Sequence, residues 1–172
     1  MRVLGKSIVA MFAIIGVFAS IQQLRGQDVS PLAGATLAHI GIVTKDVDKT
    51  VRMFETTFGI TVPAAVEVGP IPLPGDAPGG AKYKVRFTTA RVGDVNIELI
   101  QPTVGEGPHK DHLDRFGTGL QHIAFTVKDP AAAIKSVQGM GGKLTMNNYV
   151  DMKDTMGFVF EISGPPRPPR AQ

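Results

Sequence analysis

Two segments of the sequence carry a histidine in nearly the same surroundings. His39 lies in Leu-Ala-His-Ile-Gly-Ile-Val, and His122 lies in Gly-Leu-Gln-His-Ile-Ala-Phe. Each is followed further along the chain by a glutamate in an apolar stretch, Glu98 in Asn-Ile-Glu-Leu-Ile and Glu161 in Phe-Val-Phe-Glu-Ile. Two imidazoles and two carboxylates that face one cavity would form a ligand set for a divalent metal and would leave positions for water or substrate.

Each of these residues by itself has an ordinary structural explanation. A single histidine in a strand is commonly a hydrogen-bonded core or edge residue, and a single strand glutamate usually lies on the solvated face of a sheet. The joint pattern is harder to explain in that way, because a histidine opens and a glutamate closes each of two similar modules. The interval between the copies is far longer than a solenoid repeat, so the recurrence indicates two copies of one module. The predicted metal ligands are His39, Glu98, His122 and Glu161.

The first module is predicted to open with a strand and a helix. Residues 36–44 are rich in β-branched side chains, which favours a strand. Asp46 suits the N-cap of a helix, and Gly59 suits its end. Between them, four apolar residues recur at helical spacing: Val47, Val51, Phe54 and Phe58.

The second module repeats this order. Residues 120–127 are expected to form a strand, and a helix is expected to begin at about Asp129. Pro130 suits the first turn of that helix, because proline lacks the N–H that would have no intrahelical partner there. The predicted apolar face of the helix is formed by Ile134 and Val137.

The first module is predicted to close with a hairpin. Residues 83–89 and 92–100 are expected to form its two strands, with a turn near Ala90 and Arg91, and the second strand carries the glutamate. The stretch 63–81 that precedes them is rich in proline and glycine. Such a composition fits either a lid over a site or a plain connector.

The second module is predicted to close in the same way. Its strands are placed at 144–150 and 158–162 and are joined by a loop. The polar segment between the two modules contains His109 and His112, three positions apart. These histidines could hold a second metal ion, or they could lie on a short helix.

The two ends of the chain are predicted to lie outside the fold. Arg2 and Lys6 precede an apolar run over 8–19, an order typical of a secretory signal peptide with its lead-in, here 1–27. An uncleaved N-terminal membrane anchor is the alternative, and in either case the body of the protein is exported, to the periplasm or beyond. The tail 164–172 is rich in proline and arginine and is expected to be extended and disordered.

Length and composition fit one domain over 35–163, with module one at about 36–102 and module two at about 119–163. The chain of 172 residues has no cysteine, which excludes a disulfide framework, a thiolate zinc site and a thiol nucleophile. Its formal charge is only +3, and no basic stripe is interleaved with aromatic residues, so nucleic-acid binding has no support. We expect a small-molecule substrate and no stable membrane partner once the signal peptide is removed.

The motifs around the two histidines and the two glutamates resemble the vicinal-oxygen-chelate superfamily. That group includes glyoxalase I, methylmalonyl-CoA epimerase, fosfomycin-resistance proteins, extradiol dioxygenases and bleomycin-binding proteins. The resemblance covers roughly residues 36–163. It implies an α+β fold of two βαβββ modules, whose mixed, curved sheets enclose a metal site. The ligand positions of the glyoxalase and epimerase branch match His39, Glu98, His122 and Glu161.

The same resemblance implies a chemistry. One divalent ion, of zinc, nickel, cobalt, manganese or iron, would act as a Lewis acid during proton transfer next to a carbonyl. Glu98 or Glu161 would double as the base, so the reaction would be an isomerisation or a lyase reaction on a small oxygenated molecule. Family habit also favours a homodimer, and the site could close within one chain or across two swapped chains.

Alternatives within the superfamily differ in their ligands. Extradiol dioxygenases use two histidines and one glutamate around iron, so the additional carboxylate of Glu98 favours non-redox chemistry. Bleomycin-binding relatives bind a small molecule without metal and lack the full ligand set. Epimerase-like members place a separate glutamate on the strand before the second ligand, but residues 83–87 contain no acid. Export also counts against an epimerase or a glutathione-dependent enzyme, because CoA and glutathione are cytosolic thiols.

Three basic residues are candidates for contact with an anionic substrate. Lys84 and Arg86 lie on the predicted strand of residues 83–89, and Arg115 lies near the expected mouth of the site. The alternative for the two strand residues is that they are exposed charges without a role in binding.

Overall fold

The computed structural model describes Ser30 and residues 32–165. The predicted signal peptide, 1–27, lies outside the described residues, as does the predicted tail 164–172 except for its first two residues. No helix of the described part is long and apolar enough to cross a membrane. Within this part the chain forms eight strands and four helices: β1 Thr36–Val43, α1 Val47–Phe58, β2 Val66–Ile71, β3 Tyr83–Val92, β4 Val95–Val104, α2 Pro108–Phe116, β5 Gly119–Thr126, α3 Pro130–Gly139, β6 Lys143–Met146, β7 Tyr149–Asp151, α4 Lys153–Met156 and β8 Val159–Ser163.

The eight strands form a single mixed sheet in the order β2-β3-β4-β1-β5-β8-β7-β6. This order is symmetric about the antiparallel β1–β5 pair, and each side of it contains the four strands of one module. In both modules the first and last strands are parallel neighbours, and the other pairs are antiparallel. The predicted α+β fold of two βαβββ modules is therefore confirmed.

Helix α1 has the predicted limits. The carboxylate of Asp46 accepts a hydrogen bond from the backbone N–H of Lys49 at 2.9 Å, and Gly59 ends the helix with a φ of 64°. Val47 is fully buried and packs with Leu99 of β4. Because side chains alternate along a strand, this packing directs the neighbouring Glu98 toward the opposite face of the sheet.

Helix α3 takes the equivalent place in the second module. The Asp129 carboxylate accepts a hydrogen bond from the N–H of Ala132 at 3.0 Å, and Pro130 lies in the first turn, as predicted. Val137 is fully buried. Ala133 is also buried, and the predicted core residue Ile134 is only half-buried.

The turn of the first hairpin was predicted at the wrong place. Strand β3 continues through Ala90 and Arg91 to Val92, which pairs with Val95. The chain reverses at Gly93 and Asp94, since Gly93 has a φ of 59°, in the left-handed region that glycine adopts without strain. The longer hairpin extends the sheet on the side of module one.

Two further segments differ from the predictions. Residues 144–150 are not one strand but contain β6, a turn at Asn147 and Asn148, and β7, in which Leu144 pairs with Val150. Asparagine favours turns because its side chain can bond to the nearby backbone. The stretch 63–81 is neither a simple lid nor a plain connector, since it contributes the edge strand β2.

Candidate metal centre

The four predicted ligands lie on the four central strands of the sheet. His39 is on β1, Glu98 on β4, His122 on β5 and Glu161 on β8. In the strand register, Gly41 lies between Glu98 and His122, and Ala124 lies between His39 and Glu161. Each module therefore places a small residue two positions after its histidine, and that residue leaves room for the ligands on the adjacent strands.

The ligand atoms of these residues converge. The two Nε2 atoms of His39 and His122 are 3.2 Å apart. The Glu161 Oε2 atom lies 3.0 Å from Nε2 of His39 and 3.4 Å from Nε2 of His122, and the Glu98 Oε2 atom lies 3.5 Å and 3.7 Å from the same two nitrogens. One atom from each of the four residues falls within 4.8 Å of all the others.

This spacing fits a divalent metal ion. Ligand atoms about 2.1 Å from a tetrahedral ion lie about 3.4 Å from one another. The separations of 3.0 to 3.7 Å between the nitrogens and the carboxylate oxygens match that value. Two histidines and two glutamates are suitable ligands for zinc, nickel, cobalt, manganese and iron. One chain supplies all four side chains, so the site closes within the chain.

His122 is held in the orientation that a metal ligand needs. Its Nδ1–H donates a hydrogen bond of 2.6 Å to Oε1 of Gln121, the preceding residue. This bond places the ring proton on Nδ1 and leaves the Nε2 lone pair directed to the cluster. Both side chains are completely buried or nearly so. Residues 41 and 42 of β1 pair with 122 and 120 of β5, so the strand bulges at Gln121.

Burial and mutual charge shift the pKa values of the cluster. Burial raises the pKa of Glu98 above its usual value of 4.5. Burial would also raise the pKa of Glu161, but its hydrogen bond with His39 and the charges of His122 and His39 lower it to about 2. Burial lowers the pKa of His122 to about 4. For His39, the desolvation that lowers its pKa is outweighed by the hydrogen bond and charges of Glu161 and Glu98, so its pKa is raised above 6.5.

A largely apolar cavity of about 130 Å³ opens beside Glu98. His109 of helix α2 and Tyr149 of strand β7 form part of its wall. The remaining wall is apolar and consists of Val68, Ile71, Val85, Phe87, Ile100 and Met146. A small molecule in this cavity would contact the Glu98 carboxylate, the side chains of His109 and Tyr149, and otherwise hydrocarbon.

The sequence matches the family model described as Glyoxalase/Bleomycin resistance protein/Dioxygenase superfamily over residues 38–160. This match includes both strand–helix openings and three of the four candidate ligands, and it stops one residue before Glu161. The chain belongs to this superfamily. The resemblance to the vicinal-oxygen-chelate group is thereby confirmed.

Relatives within the superfamily are distant in sequence. An uncharacterised protein of Bacillus subtilis (strain 168), YqjC, is 23% identical over 142 residues, which cover 75% of this chain and 91% of that protein. The solved structure of methylmalonyl-CoA epimerase from Mycobacterium tuberculosis is 20% identical with a TM-score of 0.54, covering 76% of this chain and 88% of its own. The structure of the hypothetical protein BH1468 from Bacillus halodurans C-125 is 19% identical with a TM-score of 0.55. The match covers 80% of this chain and 99% of that protein. At such identities the likeness shows the fold alone.

The three basic residues predicted to contact the substrate do not lie at the four-ligand cluster or in the wall of the adjacent cavity. Arg86 forms two hydrogen bonds with Asp48 of α1, at 2.8 and 2.9 Å, and Lys84 pairs with Glu67 at 3.0 Å. Along β3, Lys84 and Arg86 alternate with Val85 and Phe87. Val85 and Phe87 line the cavity, so the two basic side chains lie on the other face of the sheet. Arg115 is exposed. It lines a separate cleft with Phe116, Lys143 and Lys153.

Among residues 32–165, His109 and His112 do not belong to any cluster that could hold a second metal ion. Both lie on helix α2, which matches the alternative of a short helix. Both side chains are buried. Neither belongs to the four-residue cluster found among the described residues. His109 instead bonds to Tyr83, and His112 packs against Phe116.

Three residues beside the cluster were not predicted from the sequence to be part of the site. Gln121 stands where the first motif has Ala38, and comparison of the two motifs could have drawn attention to it. Asn148 donates hydrogen bonds to Oε1 of Glu161 at 3.3 Å and to Oγ of Ser163 at 3.0 Å. Tyr149 lies opposite Glu161 in the register and contributes to the lowering of its pKa. The last two residues are positioned by the β6–β7 turn, which was not predicted from the sequence.

Proposed function

We propose that the protein is a metal-dependent enzyme that catalyses isomerase or lyase chemistry on a small oxygenated molecule, by proton transfer next to a carbonyl. The observation that carries the proposal is the convergence of two imidazole Nε2 atoms 3.2 Å apart with two carboxylates. Without a metal, the burial of these four side chains costs desolvation energy. Hydrogen bonds among them recover only part of that cost. Superfamily membership and the complete four-ligand set support the same proposal.

His39, Glu98, His122 and Glu161 would hold one divalent ion. When bound, the ion supplies a Lewis acid that lowers the energy of negative charge developing on the oxygens of a substrate. The nearly complete burial of His122 and the hydrogen bond from its Nδ1 to Gln121 keep that ligand in place during the reaction.

Glu98 is the better candidate for the base. Both oxygens of Glu161 are engaged, Oε1 by the amide of Asn148 and Oε2 by His39. Glu98 faces the cavity, so a substrate there would contact its carboxylate and not that of Glu161. Its carboxylate would take a proton from the carbon next to the carbonyl and return it to that carbon or to its neighbour, which is an isomerisation with no net loss of protons.

The proposal includes export of the enzyme. Arg2, Lys6 and the apolar run over 8–19 are the features that support a cleaved signal peptide. Determining the N-terminal residue of protein recovered outside the cytoplasm tests this point. A start after Ala19 or Gly26 is expected, whereas a chain that retains Met1 in the membrane fraction would favour the anchor.

Metal content tests the central claim. Mass spectrometry of the purified chain should find close to one divalent ion per chain, and His122→Ala should lose it. His112→Ala is the matched control, because His112 is also a buried histidine but lies outside the cluster. Failure of the wild-type chain to take up any of zinc, nickel, cobalt, manganese or iron would leave metal-free small-molecule binding as the remaining function.

Proton transfer is tested separately from metal binding. The metal-loaded chain should exchange the carbon-bound protons next to the carbonyl of hydroxyacetone for deuterium in D2O, and Glu98→Gln should abolish the exchange while retaining most of the metal. Oxygen uptake with catechols that is lost in Glu161→Gln but not in Glu98→Gln would instead indicate an iron-dependent dioxygenase.

A further inference from the structure

We propose that His109 donates a hydrogen bond from Nε2 to an oxygen of the substrate, and that Tyr83 holds the imidazole in the tautomer that can do so. The inference rests on the proposed function, because it places the substrate at the metal centre. It adds a substrate-binding residue on helix α2, outside the four metal ligands, and a positioning residue, Tyr83, that acts through it.

His109 is placed to reach a bound molecule. Its side chain is part of the cavity wall together with Glu98 and Tyr149, and only 2% of the residue is exposed. The centroids of its ring and the His122 ring are 6.0 Å apart, and those of its ring and the Tyr149 ring are 5.5 Å apart. It lies next to the ligand cluster without belonging to it.

The hydrogen bond to Tyr83 determines which nitrogen carries the proton. The Tyr83 hydroxyl lies 2.7 Å from Nδ1 of His109, and Tyr83 is 1% exposed. Among the described residues no other group accepts the proton of the phenol. If the phenol donates to Nδ1, the neutral ring carries its proton on Nε2. The opposite tautomer would leave both the phenol proton and the Nε2 lone pair unmatched.

The Nε2 atom of His109 has no partner in the described part of the protein, although it is buried. Buried polar atoms without a hydrogen bond are rare, because each one loses its contact with water and gains nothing in return. An Nε2–H group in the wall of a cavity would be satisfied by an acceptor oxygen of a ligand there. Such a neutral donor also stabilises negative charge that develops on a carbonyl oxygen.

The surroundings of His109 define the class of substrate. Apart from His109, Glu98 and Tyr149, the side chains of the cavity wall are apolar. Lys84 and Arg86 are paired with acids on the opposite face of the sheet. We therefore infer a small carbonyl compound that carries no charge away from its reacting oxygen. This oxygen would face His109 and the cluster, and the hydrocarbon part would contact Phe87 and Ile100.

Nuclear magnetic resonance tests the tautomer without metal or turnover. Long-range ¹H–¹⁵N spectra of the metal-free, ¹⁵N-labelled chain should show His109 as a neutral ring protonated on Nε2. Tyr83→Phe, which removes only the hydroxyl, should shift the ring toward a mixture of tautomers. A ring protonated on Nδ1 in the wild-type chain would overturn the inference.

Ligand binding tests the contact. Acetohydroxamate is a small molecule whose carbonyl oxygen and N-bound oxygen can bind one metal ion together. It is titrated calorimetrically into the zinc-loaded forms of the wild-type chain, His109→Phe and Tyr83→Phe. His109→Phe should weaken acetohydroxamate binding about tenfold and Tyr83→Phe by a smaller factor, with zinc affinity unchanged. His112→Phe, on the same helix but outside the cavity wall, should bind as the wild type does.

The outcomes separate this inference from the proposed function. Zinc uptake by all four proteins with equal acetohydroxamate affinities would overturn the role of His109 and leave the metal enzyme in place. No zinc uptake by the wild-type chain would overturn both. If His109→Phe fails to fold, the tautomer measurement and Tyr83→Phe still decide the question.

Discussion

The imidazole of His122 fills the space that a side chain at position 41 would need. A Cβ atom built on Gly41 would lie 1.9 Å from Cε1 and 2.2 Å from Nε2 of His122. Gly41 is the register partner of His122 on β5 and of Glu98 on β4, so it lies in the middle of the cluster. The backbone conformation is not what requires glycine here. The absence of a side chain is what lets the ligand approach.

Gly41→Ala should therefore displace His122 and weaken metal binding by at least tenfold. The added methyl group overpacks a buried site, so the free energy of unfolding should also fall by about 1–3 kcal/mol. Metal titration and urea unfolding measure the two effects. Gly139→Ala is the matched control, because a Cβ there meets nothing within 4 Å and metal affinity should not change. Equal metal affinities for both variants would contradict the role of Gly41.

Gln121→Leu should lower metal affinity by about 10- to 100-fold, the usual effect of losing the residue that orients a metal-binding histidine. The reason is that Oε1 of Gln121 accepts the Nδ1 proton of His122 at 2.6 Å. Gln121→Glu keeps an acceptor oxygen at the same distance and should retain most of the affinity. The prediction is wrong if the leucine and glutamate variants lose metal equally, as measured by competition with a coloured chelator.

Metal affinity should rise as the pH is raised through the pKa of His39. That pKa lies above 6.5, and a protonated imidazole cannot bind a metal. His122, with a pKa of about 4, is already neutral near pH 7 and has no proton to release. Calorimetric titrations in two buffers of different ionisation enthalpy should therefore detect about one proton released per metal ion near pH 6. An affinity that is constant from about pH 6 to 9 would contradict this assignment.

The metal-free protein provides a second test of the same group. A raised pKa means that the charged form of His39 is stabilised in the folded state by Glu161 and Glu98. This contribution is complete below the unfolded pKa and is lost as the pH rises through the folded value. The melting temperature of the metal-free chain should fall over that pH range, and His39→Gln should remove most of the dependence.

Replacement of Arg86 or Lys84 by methionine should leave metal and acetohydroxamate affinities unchanged. Their partners are Asp48 and Glu67, on the face of the sheet away from the cavity. Exposed ion pairs of this kind contribute little to stability, so the free energy of unfolding should hardly change. Tenfold weaker binding of acetohydroxamate by either variant would contradict this expectation. It would support the contact between these residues and an anionic substrate that was predicted from the sequence.

Local features of the sequence were sufficient to predict the openings of both modules. Asp46 and Asp129 cap their helices through their own carboxylates, and Gly59 ends α1 in the left-handed conformation. Such interactions involve residues close in the chain, so they can be predicted without knowledge of the fold. The strand alternation around Glu98 and Glu161 is local in the same sense.

The hairpins were predicted less well, because strand pairing depends on residues that are distant in the chain. Residues 144–150 are apolar enough for one strand, but the turn at Asn147 and Asn148 folds them into two. The edge strand β2 forms inside a segment rich in proline and glycine because β3 offers it hydrogen-bond partners. Local composition carries no information about such a neighbour.

The sequence by itself determined the duplication and the identity of the four candidate ligands, since both depend only on residue types in repeated positions. The tertiary structure alone decided that one chain closes the site, that Lys84 and Arg86 lie outside it, and that His109 enters the cavity wall. The physical reason is that curvature and packing select which face of each strand encloses the cavity. That selection also determines which side chains of α2 become buried beside it.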